Sequence, residues 1–238
     1  YKSINEALEH AGIKNKTRVN INFVEAENLT TRNVNKTLKK ADAVLVPGGF
    51  GERGVEGMIL ACKFSRENNI PYLGICLGMQ VAIIEYARNV LKLNGANSTE
   101  FDQQTKHPVI GLITEWSDIS GKKEIRSKNS DLGGTMRLGG QLCMLKKKSK
   151  SYKMYKKEKI VERHRHRYEV NPKYKSEMIN NGLDVVGMSI DGKLVEMIEI
   201  PNHKWFLACQ FHPEFTSNPR DGHPIFNSFI SSTIKTKK

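Results

Sequence analysis

Chemistry in this chain starts at Gly74-Ile75-Cys76-Leu77-Gly78, where a cysteine framed by glycines joins an apolar run to a helical pattern. Residues 70–75 read as a short buried strand, and residues 79–91 place apolar side chains at helical spacing. A sharp strand-to-helix turn would push the sulfur outward, while the helix N-terminus favours a thiolate and offers N–H groups to an anion. A lone G-x-C-x-G is equally compatible with a buried structural cysteine. A second apolar run, 205–210, leads into Phe211-His212-Pro213-Glu214-Phe215. Pro213 turns His212 away from helix, and in an extended segment Glu214 lies on the same side as His212 and orients its imidazole. Cysteine, histidine and acid, each just beyond a strand, have the layout of a spatially assembled triad. A third strand pattern, 41–46, runs into Pro47-Gly48-Gly49-Phe50-Gly51. Its N–H groups could reach a substrate oxygen, with Gly49 and Leu77 as oxyanion donors. Each such donor lowers an acyl-transfer barrier by ~3 kcal/mol. A plain tight turn explains the same glycines.

These groups need a scaffold that collects strand ends. Strand-like runs at 19–25, 44–46, 72–75 and 207–211 alternate with helical stretches, which predicts one α/β domain with a mostly parallel central sheet, helices on both faces and catalytic groups at carboxyl ends of strands. Residues 109–199 differ. Short alternating pieces such as 194–200 predict antiparallel hairpins appended to that sheet. A chain of 238 residues is long enough to bury such a core.

Composition narrows the function classes. Cys62, Cys76, Cys143 and Cys209 show no C-x-x-C spacing, so neither a disulfide framework nor a zinc site is expected. No signal peptide or membrane-spanning apolar stretch is present, which places the chain in a reducing cytoplasm. The net charge of +13 concentrates in Lys146-Lys147-Lys148-Ser149-Lys150 and the lysines of 153–159. A lysine run in a loop is usually a solvated face, and no nucleic-acid module accompanies it, so no nucleic acid is expected as a partner.

Across nearly its whole length the chain resembles the class I (triad) glutamine amidotransferases, and within them the CTP synthase family. The elbow and the His212-Pro213-Glu214 segment mark the class. The narrower resemblance rests on Arg53-Gly54-Val55-Glu56-Gly57-Met58, Asn97-Ser98-Thr99-Glu100-Phe101, Gly133-Gly134-Thr135-Met136-Arg137-Leu138-Gly139 and Arg163-His164-Arg165-His166-Arg167-Tyr168-Glu169-Val170-Asn171. It implies that Cys76 attacks the side-chain amide of glutamine, that His212 acts as base and then protonates departing ammonia, and that Glu214 orients His212. It also implies that Gly49 and Leu77 bind the oxyanion and that the backbone of Leu77, Gly78, Met79 and Gln80 lines the substrate. Glu100 would pair with the α-ammonium and Arg167 with the α-carboxylate. One anion and one bidentate cation suit a zwitterion. The other basic groups of 163–167 are assigned to substrate capture and a facing domain.

The resemblance further implies an N-terminal synthase (amidoligase) domain carrying UTP and ATP sites, with magnesium, stimulation by GTP and a homo-tetramer in the full-length enzyme. The chain itself holds no G-x-x-x-x-G-K-[ST] phosphate loop, and no cofactor or metal is expected in it. It begins at Tyr1, inside what resembles the first helix of the family's domain. The expected reading is therefore residues 1–238 as a glutaminase domain without its first strand, leaving an exposed sheet edge. Two other classes stay open on residues alone: another Cys-His-Glu triad hydrolase, and a non-catalytic basic binding module.

Overall fold

The apolar runs before Cys76 and before His212 lie side by side, and the rest of the chain wraps around them. The structure, a computed structural model, describes residues 1–112, 115–117, 123–125 and 136–234. Its helices are α1 (Lys2–Lys14), α2 (Val34–Leu38), α3 (Val55–Glu67), α4 (Leu77–Asn89), α5 (Lys150–Tyr155), α6 (Lys175–Asn180) and α7 (Pro224–Thr233). The strands are β1 (Val44–Val46), β2 (Tyr72–Ile75), β3 (Asn97–Ser98), β4 (Pro108–Leu112), β5 (Glu115–Ser117), β6 (Lys123–Ile125), β7 (Arg137–Leu145), β8 (Lys159–His166), β9 (Tyr168–Val170), β10 (Asp184–Ser189), β11 (Val195–Glu199) and β12 (Phe206–Cys209).

A seven-stranded sheet runs in the order β1-β2-β12-β11-β10-β7-β8. β1, β2 and β12 are parallel, with Leu73 opposite both Leu45 and Leu207, and the four remaining pairings are antiparallel. Strand alternation splits the core into two layers. Tyr72 and Phe206 face α3 and α4 with Ile59, Met79 and Ile83, whereas Leu73, Ile75 and Leu207 face α1 and α7 with Leu8, Phe226 and Phe229. Because β2 and β12 are covered on both faces, they are continuously apolar. A three-stranded sheet, β3-β4-β9, and the β5-β6 hairpin complete the described strands. No helix among the described residues is long and apolar enough to cross a membrane.

The α/β class, the helices on both faces and the appended hairpins agree with the sequence reading; the sheet itself is mixed rather than mostly parallel. Residues 19–25 account for part of this difference. They form no ladder, since β1 pairs with β2 alone among the described residues. Val19 and Ile21 instead rest on the α1/α7 layer, while Phe23 and Val24 stay 71% and 43% exposed. The lysine-rich segment also carries more structure than a loop. Ser149 caps α5 by accepting the Tyr152 N–H, and Tyr152, Met154 and Tyr155 pack on the same layer while Lys146 and Lys147 pair with Asp184 and Glu158 at the surface. Residues 130–135, which include the start of the Gly-Gly-Thr-Met-Arg segment, lie outside the described residues.

Candidate active site

At the carboxyl end of β2 the chain turns directly into α4, and Cys76 sits on that turn with φ 53° and ψ −103°. A non-glycine residue rarely adopts a positive φ, and such strain collects at functional sites. The strain falls on the cysteine itself. Its glycine neighbours supply clearance: a Cβ on Gly78 would lie 2.1 Å from the Val46 carbonyl oxygen, and one on Gly74 would lie 2.6 Å from the Gly78 carbonyl oxygen. Tyr72 Oη donates to the Gly78 carbonyl at 2.9 Å, and Cys76 N donates to the Cys209 carbonyl at 2.8 Å. The elbow is thus tied to β1 by contact and to β12 by a hydrogen bond. In the first turn of α4, Met79 N and Gln80 N donate to the Cys76 carbonyl. The N–H groups of Leu77 and Gly78 precede any intrahelical acceptor.

His212 follows β12 and is only 9% exposed. Its Nδ1 lies 2.8 Å from Glu214 Oε1. This contact does not come from an extended segment: Pro213 opens a 3₁₀ turn, Pro213–Thr216, that folds Glu214 back beneath the ring. Proline's fixed φ suits the first helical position and keeps the preceding residue out of the helical region, as His212 is at φ −111° and ψ 84°. His212 N donates to the Arg163 carbonyl at 2.8 Å, docking the turn on β8. Glu162 braces it from below, accepting from Tyr155 Oη at 2.7 Å, His223 Nε2 at 3.0 Å and Thr216 Oγ1 at 3.5 Å.

Burial opposes charge on His212, but its hydrogen bonds to Cys76 and Glu214 and their negative charges prevail, raising it to about 10. The resulting arrangement is an imidazolium beside a sulfur, steered by a carboxylate. Burial pushes the other three thiols, Cys62, Cys143 and Cys209, well above the ordinary cysteine range. All three are buried and free, and burial keeps them protonated.

The glycine loop closes over this pair. A Cβ on Gly48 would lie 2.7 Å from His212 Cε1 and 3.4 Å from Cys76 Cβ, and one on Gly49 would lie 3.2 Å from Leu77 Cδ2. Gly49 therefore adjoins Leu77, as two oxyanion donors would require. Further along, Gly51 N donates to Glu100 Oε1 at 2.9 Å, and the Arg167 guanidinium lies 6.0 Å from the Phe50 ring centroid. Burial pushes the Glu100 carboxyl up, against the Gly51 N–H and the Arg167 charge. The loop thus brings an anion and a cation to the rim. Met79 is wholly buried in the core, and Gln80 is 3% exposed, with its side chain turned inward. Only their backbone is available to a ligand.

Sequence reading passed over several groups here. Gly48 looked like one more loop glycine. Gln210 ends an apolar strand with a polar side chain, a signal that was available, and its Nε2 lies 3.8 Å from Cys76 Sγ. Arg137, 1% exposed, donates to Glu169 at 3.1 Å and Glu196 at 2.8 Å behind the site. On β8, Arg163 and Arg165 face out while His164 and His166 face in. A separate open cavity of about 370 Å³, near Arg66, Tyr86 and His203, lies at the opposite, amino-terminal end of β2 and β12 and holds none of these groups.

The family model for Glutamine amidotransferase class-I matches residues 1–232. Among solved structures, the glutaminase domain of Trypanosoma brucei CTP synthase (CTPS) with bound acivicin is similar with a TM-score of 0.88 and 38% identity, over 98% of this chain and 87% of that one. A candidate GMP synthase subunit from Thermoplasma acidophilum is similar with a TM-score of 0.58 over 95% of this chain and 86% of that one. At 15% identity, that likeness concerns the fold alone.

Proposed function

The chain belongs to the class-I glutamine amidotransferases, as a glutaminase domain of the CTP synthase type, and we propose that Cys76, His212 and Glu214 are the triad by which it hydrolyses glutamine. The Cys76 sulfur attacks the side-chain amide carbon, and the carbonyl oxygen becomes an oxyanion held by the N–H groups of Gly49 and Leu77. As the C–N bond breaks, imidazolium His212 gives its proton to the leaving nitrogen and ammonia departs. A water molecule then loses a proton to His212 and attacks the glutamyl thioester, releasing glutamate and restoring the sulfur. The observation that carries this reading is His212 held 2.8 Å from Glu214 and packed with Cys76 against Gly48, next to the strained turn at Cys76.

Glu100 takes the α-ammonium and Arg167 the α-carboxylate, with the backbone from Leu77 to Gln80 lining the chain between them. Their joint attachment to the Phe50-Gly51 loop supports this division. The ammonia serves a synthase domain with UTP and ATP sites and magnesium, in a cytoplasmic, tetrameric CTP-forming ligase stimulated by GTP. This part rests on the resemblance. Among the described residues no three His, Cys, Asp or Glu side chains converge as a metal site. Coupling is tested by adding such a synthase domain with UTP, ATP, magnesium and GTP and measuring whether ammonia release rises.

Acivicin, bound by the trypanosomal domain, and a glutamine-mimicking chloroketone should each label Cys76 alone, and glutamine should protect it. Peptide mapping decides the matter: label spread evenly over the four cysteines would remove the activated nucleophile. Gly48→Ala forces its new methyl into the His212 ring. Turnover should fall roughly 10²-fold, as expected for an ångström-scale displacement of a catalytic group, with little change in the melting temperature. Steady-state kinetics beside a thermal melt would check this, and unchanged kcat/KM would show that the ring has room to move.

A further inference from the structure

Gln210 is wholly buried between the catalytic sulfur and the interior of the domain. Its backbone N donates to the Glu196 carbonyl at 2.9 Å, fixing where the side chain starts. Its Nε2 lies 3.8 Å from Cys76 Sγ, within donor range for sulfur. The other end of the amide is also held. Gln80 Nε2 donates to Gln210 Oε1 at 3.4 Å and to the Tyr168 carbonyl at 3.1 Å. A primary amide nitrogen has two N–H donors, and Gln80 directs both at oxygens. The polarity of the chain is therefore set by a backbone carbonyl, which cannot flip. Turning Gln80 over would set its oxygen against the Tyr168 oxygen, and turning Gln210 over would set two amide nitrogens together and aim a carbonyl oxygen at the sulfur.

We propose that Gln210 is a further catalytic residue, whose amide N–H holds the Cys76 sulfur in its anionic form, and that Gln80 is the positioning residue that keeps that N–H aimed. This rests on the reading of Cys76 as the nucleophile. Burial strengthens such a bond, because Cys76 and Gln210 are 2% and 0% exposed and the donor is fixed before reaction. His212 and Gln210 then divide the work at the sulfur, which also has the Arg165 carbonyl oxygen 4.0 Å away. His212 carries the proton that leaves with ammonia, while Gln210 keeps its own proton through every step and serves the anion alone.

The test is the rate at which chloroacetamide alkylates Cys76 as a function of pH, read by peptide mapping, in the wild-type chain and three variants. Gln210→Met keeps length and burial without a donor. Its half-maximal pH should rise by about one unit, read as a displacement of the whole profile along the pH axis. Gln80→Met leaves Gln210 in place but frees its amide to turn, and should shift the profile in the same direction by less. Gln210→Glu is nearly isosteric and turns a carboxylate toward the sulfur, so it should shift the profile furthest upward. For glutamine turnover, kcat should fall with KM little changed, which a general loosening of the fold would not produce. Profiles of Gln210→Glu and Gln80→Met that overlay the wild type would overturn the proposal, even if Gln210→Met fails to fold. Wild-type labelling by the chloroketone separates the two readings. Label away from Cys76 defeats the nucleophile assignment, whereas label on Cys76 with unmoved profiles defeats only the role of Gln210.

Discussion

Cys76→Ala should abolish ammonia release from glutamine, with a loss of roughly 10⁵- to 10⁶-fold, the scale seen when the nucleophile of a covalent mechanism is removed. No other thiol can substitute, since Cys62, Cys143 and Cys209 are buried and held protonated. Two accompanying measurements separate loss of the nucleophile from loss of the fold. The first is the titration of the His212 ring by NMR. Its midpoint near 10 depends on the sulfur and on Glu214, so in Cys76→Ala it should fall toward the ordinary histidine value while the Glu214 contact persists. The second is stability. Cys76 occupies φ 53°, ψ −103°, and Cys76→Gly removes the Cβ that makes this conformation costly. That variant should be inactive and about 1 kcal/mol more stable. Residual Cys76-independent hydrolysis near the wild-type rate would sink the assignment, and a less stable Cys76→Gly would show that the turn stores no strain.

How much of this was legible in the sequence follows from the range over which each signal acts. The elbow is a five-residue pattern between two strong periodicities, so residues 74–78 announced both the turn and the helix that begins at Leu77. The His212–Glu214 contact was also readable from spacing, although the mechanism differs: a 3₁₀ turn begun by Pro213 brings them together, not strand alternation. Strand pairing acts at longer range. Residues 19–25 have the composition of a strand, but a ladder needs a neighbour, and none of the described residues provides one. Buried charge was the least legible of all. Lysine and arginine are seldom fully buried, so Arg137, Glu169 and Glu196 would be placed at the surface by type. Their burial depends on mutual pairing that only the packing of β7, β9 and β11 creates.

That pairing leads to the second large effect, on stability. Arg137 joins Glu169 and Glu196, both 0% exposed, and His166 Nε2 lies 2.9 Å from Glu169. Burial pushes Glu196 up to about 7 despite the pull of Arg137, and burial with the Arg137 charge pushes His164 well below the usual histidine range, leaving it neutral. Removing one partner of such a cluster while leaving the others buried costs about 3–5 kcal/mol, and Arg137→Met should lose that much at pH 8. The pH dependence has a definite sign. In the wild type the folded Glu196 binds its proton more tightly than the unfolded chain does, so stability falls as pH rises from 4.5 to 7, by about 3 kcal/mol. In Arg137→Met the opposing pull is gone, the folded value moves higher still, and stability continues to fall above 7. The gap between the two proteins should therefore be smaller at pH 5, where Glu196 is protonated in both folded states and the Glu169 contact is what the variant loses, and should widen between pH 7 and 9. Urea melts across that range would measure it, and a gap constant with pH would mean that Arg137 contributes through packing rather than charge. Because Gln210 N is bonded to the Glu196 carbonyl, the same substitution should also disturb the donor at the sulfur, so activity should decline along the pH axis with stability.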